Sequence, residues 1–385
     1  MSISASTTFK TQTCAPTPEN LARLGEALRK GELVAMPTET VYGLAGSLWN
    51  EETLASIFRA KERPTFDPLI AHVAESALLP TRGAASPLEA LVSLGLVDAT
   101  PLSARAREAI HRLATRFWPG PLTLILPKAS RVPDLATSGL DTVGIRVPRH
   151  PVAQALLEAA GVPLAAPSAN RFGRISPTTA NAVEEELQGR IPWILDGGAC
   201  EVGVESSIVH VSASGEARLL RAGGVARETL ESALGYALVL QTQTAPHTSP
   251  QLSPGLLLSH YAPRKRLVLL PKPIAQLDWP DFLQSLSKSQ ANAPRSLSHL
   301  GLLTFSDEPE AELSQRVSRQ TGCTVTVRRL SPAGDLSAAA RVLFASLRAL
   351  DASDAELLLA EPSPRNEGLG YAIQDRLVRA SAPRI

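Results

Sequence analysis

The stretch WILDGGACEVGVESSIVHVSASGEARLLR, residues 193–221, decides the fold. It holds three short apolar runs, Trp193–Leu195, Ser207–Val211 and Ala217–Leu220, joined by short links that contain glycine. A parallel crossover needs a dozen or more residues, so such links predict antiparallel pairing. Upstream the rhythm differs. Leu21, Leu24 and Leu28 recur at helical spacing and Gly31 closes that helix. Leu33–Met36 then reads as a buried strand ended by Pro37. Leu54, Ile57 and Phe58 mark a second helix that must stop before Pro64. Pro68–Val73, Leu122–Leu126 and Thr142–Val147 read as further strands. Helices with both kinds of pairing make a mixed sheet, not a pure doubly wound fold.

From about Gln241 the stretch QTQTAPHTSPQLSPG is polar and rich in Pro, Ser and Thr, and reads as a linker. Beyond it, strands near 266–270, 300–306, 323–330 and 355–361 alternate with helices near 281–290, 309–319, 335–350 and 368–381. That alternation predicts a small parallel α/β domain.

Composition excludes several classes. Lys plus Arg is 38 and Asp plus Glu is 37, so no strong net field draws the chain to nucleic acid or membrane. Cys14, Cys200 and Cys323 lie far apart without a CxxC, which signals neither a zinc ribbon nor a disulfide framework. The first residues lack an apolar signal core, and no apolar run reaches the length of a membrane helix. A cytoplasmic protein without a membrane partner is expected.

Four polar clusters resist a plain core reading. Pro37–Leu44 (PTETVYGL) follows a buried strand, where ligands bind in α/β sheets; Thr and Glu there also suit a helix N-cap. Lys61-Glu62-Arg63-Pro64 leads through Asp67 to His72. Lys61 fits a helix C-terminus by charge alone, and a lone strand histidine is more often a satisfied core residue than a ligand. Arg146 lies between apolar neighbours in VGIRVP, and needs a carboxylate or phosphate from the protein or from a ligand. Ala165–Asn170 (AAPSAN) offers small residues that allow close backbone approach, with neutral hydrogen-bonding groups. P-loop, dinucleotide, HExxH and GxSxG signatures are absent.

Together these segments resemble the Sua5/YrdC family of threonylcarbamoyl-AMP synthases. PTETVYGL, KERP with PLIAH, FWPGPLTLIL, VGIRVPRHP, AAPSAN with SPT, ILDGG with GVESS, and LLRAGG run in family order across roughly 20–235. SPGLLLSHYAP resembles the linker of the long Sua5 form, and GLGYAIQDRLVRAS its C-terminal helix. The resemblance implies an α/β protein: a mixed twisted-sheet YrdC-like catalytic domain over 15–235, a linker over 236–265, and a smaller Rossmann-like parallel α/β domain over 266–385. It implies synthesis of threonylcarbamoyl-AMP and pyrophosphate from L-threonine, bicarbonate or CO2, and ATP. The product serves the N6-threonylcarbamoyladenosine modification of tRNA and passes to a tRNA threonylcarbamoyl-transferring complex.

By position, the resemblance puts Thr40, His72, Arg146, Ala166 and Ser206 around threonine. Arg63, Asp67, Thr142, Ser168, Asn170, Ser176 and Arg221 fall to ATP, with His260 and Tyr261 closing over the nucleotide. Lys61, Arg63 and Arg146 carry catalysis. The attacking group is already an anionic oxygen, so positioning and charge stabilisation suffice. Mg2+ carried with ATP is expected, and no permanently bound cofactor.

The chain departs from the family at Asp67, where Asn is usual, at Ala222 for Pro, His210 for Asp and Gln374 for Asn. A carboxylate at 67 repels phosphate unless it pairs with Arg63 or faces the metal. The long span 77–103 is expected as a surface excursion. Two rival readings stand: a non-catalytic YrdC-like module for double-stranded RNA, and a hydrogenase-maturation carbamoyltransferase. The second normally carries zinc-finger cysteines and an acylphosphatase-like region, neither of which occurs in this sequence.

Overall fold

The computed structural model describes residues 9–78, 86–240, 252–255, 259–288, 297–331 and 333–383. Much of the expected linker, 241–251 and 256–258, lies outside the described residues. The chain divides into two compact units, Met1–Phe172 with Ser176–Leu257, and Gly173–Ile175 with Leu258–Ile385.

The first unit runs β1 (Gln12–Cys14), α1 (Pro18–Arg29), β2 (Val34–Met36), β3 (Gly43–Ser47), α2 (Glu51–Lys61), β4 (Ile70–His72), α3 (Pro87–Ser93) and α4 (Ala104–Phe117). It continues with β5 (Leu122–Pro127), α5 (Asp134–Thr137), β6 (Thr142–Arg146), α6 (Pro151–Ala160), β7 (Leu164–Ala165) and α7 (Ala180–Leu187). Last come β8 (Trp193–Leu195), β9 (Ser207–Val211), β10 (Ala217–Arg221), α8 (Arg227–Leu234) and β11 (Val239–Leu240). The strands form one sheet in the order β1-β8-β2-β3-β7-β4-β6-β5-β9-β10-β11. Parallel pairs (β4 with β6, β5 with β9) stand beside antiparallel ones (β2 with β3, β5 with β6, β9 with β10). The sheet is mixed.

One pairing expectation is corrected. Trp193–Leu195 does not pair with Ser207–Val211; it lies in parallel between β1 and β2, far across the sheet, and only β9 and β10 form the antiparallel neighbours. The intervening residues 196–206 therefore cross the sheet instead of making a hairpin. The span 77–103 is corrected too. Within it, α3 buries Leu88 and Leu91, and Leu96, Val97 and Leu102 are also buried, so its described part belongs to the core. Val239 and Leu240, inside the expected linker, pair with β10 as an edge strand.

Local sequence explains the helix ends. The Thr17 hydroxyl accepts from Asn20 N ahead of Pro18, and the Asn50 side chain accepts from Thr53 N, so α1 and α2 each start on a side-chain cap. α1 packs on α6 over Leu24, Leu28, Val34, Met36, Leu156 and Leu157. Burying each leucine is worth about 1.5–3 kcal/mol. Gly25 permits the crossing, since a Cβ there would lie 2.5 Å from the carbonyl carbon of Ala159.

The second unit contains β12 (Leu267–Leu269), α9 (Trp279–Lys288), β13 (His299–Thr304), α10 (Glu310–Thr321), β14 (Thr324–Arg329), α11 (Leu336–Ala352), β15 (Leu357–Ala360) and α12 (Leu369–Ser381). Its four strands are all parallel, in the order β12-β15-β13-β14, over a core that includes Trp279, Leu300, Leu302, Leu313 and Leu359. Among the described residues no helix is long and apolar enough to cross a membrane.

Candidate active site

PTETVYGL is the turn and second strand of the β2–β3 hairpin, not a helix cap. Every residue from Pro37 to Leu44 is buried, so its polar groups must find partners inside the protein. Thr38 Oγ1 accepts from the backbone N of Thr40 and Val41 and donates to Val41 O at 2.6 Å. With that proton committed, Thr40 Oγ1 donates to Thr38 Oγ1 at 2.8 Å. The turn is clamped from outside by residues 196–202. Tyr42 donates its phenol to Gly198 O at 2.7 Å, and Val202 N donates to Glu39 O at 2.8 Å.

Arg146 ends β6. It stands in register with His72 at the end of β4 and with Thr123 near the start of β5, so the three side chains share one face of the sheet. Gly144, two residues back, makes room on that face for Ile125. A polar row thus tops an apolar layer. Arg146 is 4% exposed, and the anion it requires comes from the protein: Glu39 Oε1 lies 2.8 Å from its Nη2. Its Nη1 donates to Thr40 Oγ1 at 2.8 Å and its Nε to Gly120 O at 3.3 Å. Burial acts to raise the Glu39 pKa, but the Arg146 charge beside it outweighs that and leaves the carboxyl below its ordinary range. His72 is buried, its Nδ1 lying 3.1 Å from Ile70 O, and burial with the Arg146 charge pushes its pKa down to about 3. It is a neutral imidazole at physiological pH.

From Thr123 the polar row runs on. Its hydroxyl lies 2.8 Å from Ser206 Oγ, and Arg221 Nη2 donates to Ser206 Oγ at 3.2 Å and to Ser206 O at 3.1 Å. Arg221 also donates through Nη1 to Pro254 O at 3.1 Å. Ser176 donates to Glu205 Oε1 at 2.6 Å.

A second group surrounds the end of α2. Glu62 adopts a left-handed conformation (φ 56°) that terminates the helix and turns Arg63 inward. Arg63 Nε donates to Asp67 O at 3.0 Å, its Nη2 donates to Pro68 O at 2.8 Å, and that same Nη2 lies 2.9 Å from Asp67 Oδ2. The unusual carboxylate thus pairs with Arg63. Burial raises the Asp67 pKa, and the charges of Arg63, Lys61 and Arg221 only partly offset that. Lys61 is 1% exposed, and its Nζ donates to Ser168 O at 2.5 Å and to Asn170 O. Burial, then the Arg63 charge, holds the Lys61 ammonium well below the usual lysine range. The AAPSAN loop that Lys61 grips is laced to the hairpin and to β4. Leu44 N donates to Pro167 O and Ala169 N to Tyr42 O in the hairpin, and Ala166 N donates to Ile70 O in β4. Asn170 Nδ2 donates to Arg171 O at 2.7 Å.

One chain of contacts and register pairs therefore links Thr40, His72, Arg146, Ala166, Ser206 and Arg221. A second links Lys61, Arg63, Asp67, Ser168 and Asn170, and Ser176 joins the first through Glu205, the chain neighbour of Ser206. Thr142 stands at the other end of β6, about 13 Å along the strand from Arg146 at the usual strand rise. His260 and Tyr261 belong to the second unit. There the Tyr261 ring stacks on Phe344 at 5.6 Å and lies beneath the Arg376 guanidinium at 5.1 Å, with His260 at 4.2 Å. Sequence reasoning assigned no role to Glu39, Thr123 or Glu205. Glu39 and Glu205 were visible as acids inside PTETVYGL and GVESS, but those motifs hold no cation to pair with them. Among the described residues no group of three or more His, Cys, Asp or Glu side chains stands together to cage a metal.

A Sua5/YciO/YrdC family profile, described as telomere recombination, matches residues 26–223. A profile described as threonylcarbamoyl-AMP synthase, C-terminal domain, matches 225–382. The chain is 35% identical over 366 residues to the threonylcarbamoyl-AMP synthase of Bacillus subtilis (strain 168), covering 95% of this chain and 94% of that protein. It is 34% identical over 358 residues to the Pyrococcus abyssi enzyme of the same name, covering 93% of each. The crystal structure of P. abyssi Sua5 complexed with L-threonine matches with a TM-score of 0.78 at 31% identity, covering 96% of this chain and 98% of that one.

Proposed function

The chain belongs to the Sua5/YrdC family and is a threonylcarbamoyl-AMP synthase, and we infer that the residues gathered around Arg146 and Asp67 carry its reaction. The reading rests on one observation above all. A buried arginine at the end of β6, already fixed by Glu39 and Thr40, stands at the end of the same polar row as Arg221, whose charge acts on Asp67 together with those of Lys61 and Arg63.

The Arg146 guanidinium receives the carboxylate of L-threonine, with Thr40, Ser206 and the backbone at Ala166 completing that side. Neutral His72 packs there without adding a charge. The threonine amine adds to the carbon of CO2, drawn from bicarbonate, and loses a proton to give N-carboxythreonine. Its new carboxylate oxygen attacks the α-phosphorus of ATP, the bond from that phosphorus to the bridging oxygen breaks, and pyrophosphate leaves. Arg63 and Arg221 orient the phosphates, Lys61 holds the loop that carries Ser168 and Asn170, and Ser168, Asn170, Ser176 and Thr142 are neutral contacts, with Asp67 bound to Arg63. No activated side-chain nucleophile is needed; a preset field around the phosphates supplies the stabilisation.

Arriving on ATP, Mg2+ would supply charge neutralisation of the leaving pyrophosphate. The labile product passes to a tRNA threonylcarbamoyl-transferring complex in the cytoplasm, where ATP and tRNA are both present.

The test is pyrophosphate release from ATP with threonine and bicarbonate each present or withheld, with serine as control. Release that requires all three substrates is expected. No release from folded protein with Mg2+, together with salt-dependent binding of double-stranded RNA, would transfer support to the RNA-binding alternative.

A further inference from the structure

Glu39 takes no part in the reaction just described, yet its side chain is 1% exposed and its only ion pair among the described residues is with Arg146. We propose that Glu39 is the positioning residue of the threonine subsite, holding the Arg146 guanidinium in the one orientation that receives the amino-acid carboxylate. The proposal rests on the reading of Arg146 as the partner of that carboxylate.

Three observations carry it. First, the guanidinium is fixed by two segments, the β2–β3 turn and the loop before β5. Glu39 holds Nη2, Thr40 holds Nη1 and Gly120 O accepts from Nε. A planar fork with five N–H donors still has hydrogens left for a second carboxylate. Second, Glu39 is itself immobilised. Its carbonyl accepts from Val202 N, and Tyr42 in the same turn holds Gly198. The next residue, Thr40, is locked through Thr38 to Val41 O. Third, the chemistry needs such a partner. A buried arginine with flexible torsions and no fixed anion turns toward the strongest anion available, and in this protein that is the triphosphate. With Glu39 ionised beside it, Arg146 forms a neutral pair, which a monoanionic carboxylate joins more readily than a polyanion. Glu39 thereby separates amino-acid recognition from phosphate recognition.

The experiment measures threonine and ATP binding by calorimetry, and KM for each, on the full chain as wild type, E39Q and E39D. E39Q is expected to weaken threonine by about 10- to 100-fold, the scale of a misplaced binding group. ATP should change by less than about twofold, and E39D should recover part of the threonine loss. Wild type that binds no threonine would sink the functional reading and leave the ion pair untouched. Wild type that binds threonine, with E39Q indistinguishable from it, overturns the proposal. Equal losses for threonine and ATP overturn it as well, because a merely structural pair predicts them. If E39Q does not fold, E39D decides: it keeps the charge but is one methylene shorter, and unchanged threonine affinity in it refutes the positioning role.

Discussion

Nη2 of Arg146 lies 2.8 Å from Oε1 of Glu39, and both side chains are almost completely withdrawn from solvent. The β2–β3 hairpin brings them together by swinging the PTET turn over the end of β6. The pair is neutral. Around the end of α2 the charges of Arg63, Lys61 and Arg221 act on the buried Asp67 and only partly offset its burial.

Arg146→Ala strands Glu39 as a buried, unpaired carboxylate. That should cost about 3–5 kcal/mol of stability along with all threonine-dependent pyrophosphate release. Combining Arg146→Met with Glu39→Gln removes both charges and should restore most of the stability but none of the activity. Denaturant unfolding of the single and double variants checks this. A single variant within about 0.5 kcal/mol of wild type would mean the pair contributes nothing to the fold.

His72 gives the stability a pH dependence. Its folded-state pKa is depressed from 6.5 to about 3, so the unfolded chain binds a proton that the folded chain refuses. Stability from this group is complete above about pH 6.5 and is lost as pH falls toward 3, by up to roughly 4–5 kcal/mol. His72→Gln should flatten that slope. Urea unfolding at intervals between pH 7 and 4 measures it, and identical slopes in both proteins would place the acid sensitivity elsewhere.

Lys61 is expected to act on ATP through the loop it holds. Lys61→Met removes the donor shared by Ser168 O and Asn170 O, and each buried carbonyl left unpaired costs about 1–3 kcal/mol. The thermal midpoint should fall, and KM for ATP should rise more than KM for threonine. Equal rises in both would show that the AAPSAN loop serves the two substrates alike.

The sequence made some of this legible and hid the rest for identifiable reasons. The four strands and four helices after residue 266 were plain because apolar residues recur there at strand and helix periods, as Val325 and Val327 do in β14 and Leu313 and Val317 in α10. The need of Arg146 for an anion followed from its apolar neighbours, but the identity of that anion did not, because Glu39 is distant in sequence and meets it only in the folded hairpin. Gly43–Ser47 was invisible as a strand, since GLAGS has neither alternation nor β-branched bulk. Trp193–Leu195 looked like the first arm of a meander. Its actual partners, β1 and β2, are set by tertiary packing at the far side of the sheet. Asp67 was the one conflict the sequence posed openly: a carboxylate among phosphate-binding cations must have a partner, and Arg63 is that partner.

That pair yields a prediction in which two effects oppose. Removing one member of a buried ion pair usually destabilises. Yet the Asp67 pKa stays raised above 3.8 despite Arg63, Lys61 and Arg221, so its charge costs more in desolvation than those cations return. A carboxyl with a raised folded pKa costs stability at all pH values above that pKa, and the cost disappears as pH falls below the unfolded value near 3.8. Asn at 67 keeps an oxygen for Arg63, whose remaining donors already reach Asp67 O and Pro68 O. Asp67→Asn should therefore be as stable as wild type or more stable at pH 7, with pyrophosphate release retained and the stability gap closing toward pH 4. Calorimetric unfolding at the two pH values decides. A loss above about 1 kcal/mol at pH 7 would show that the attraction of Arg63 outweighs the burial of the charge.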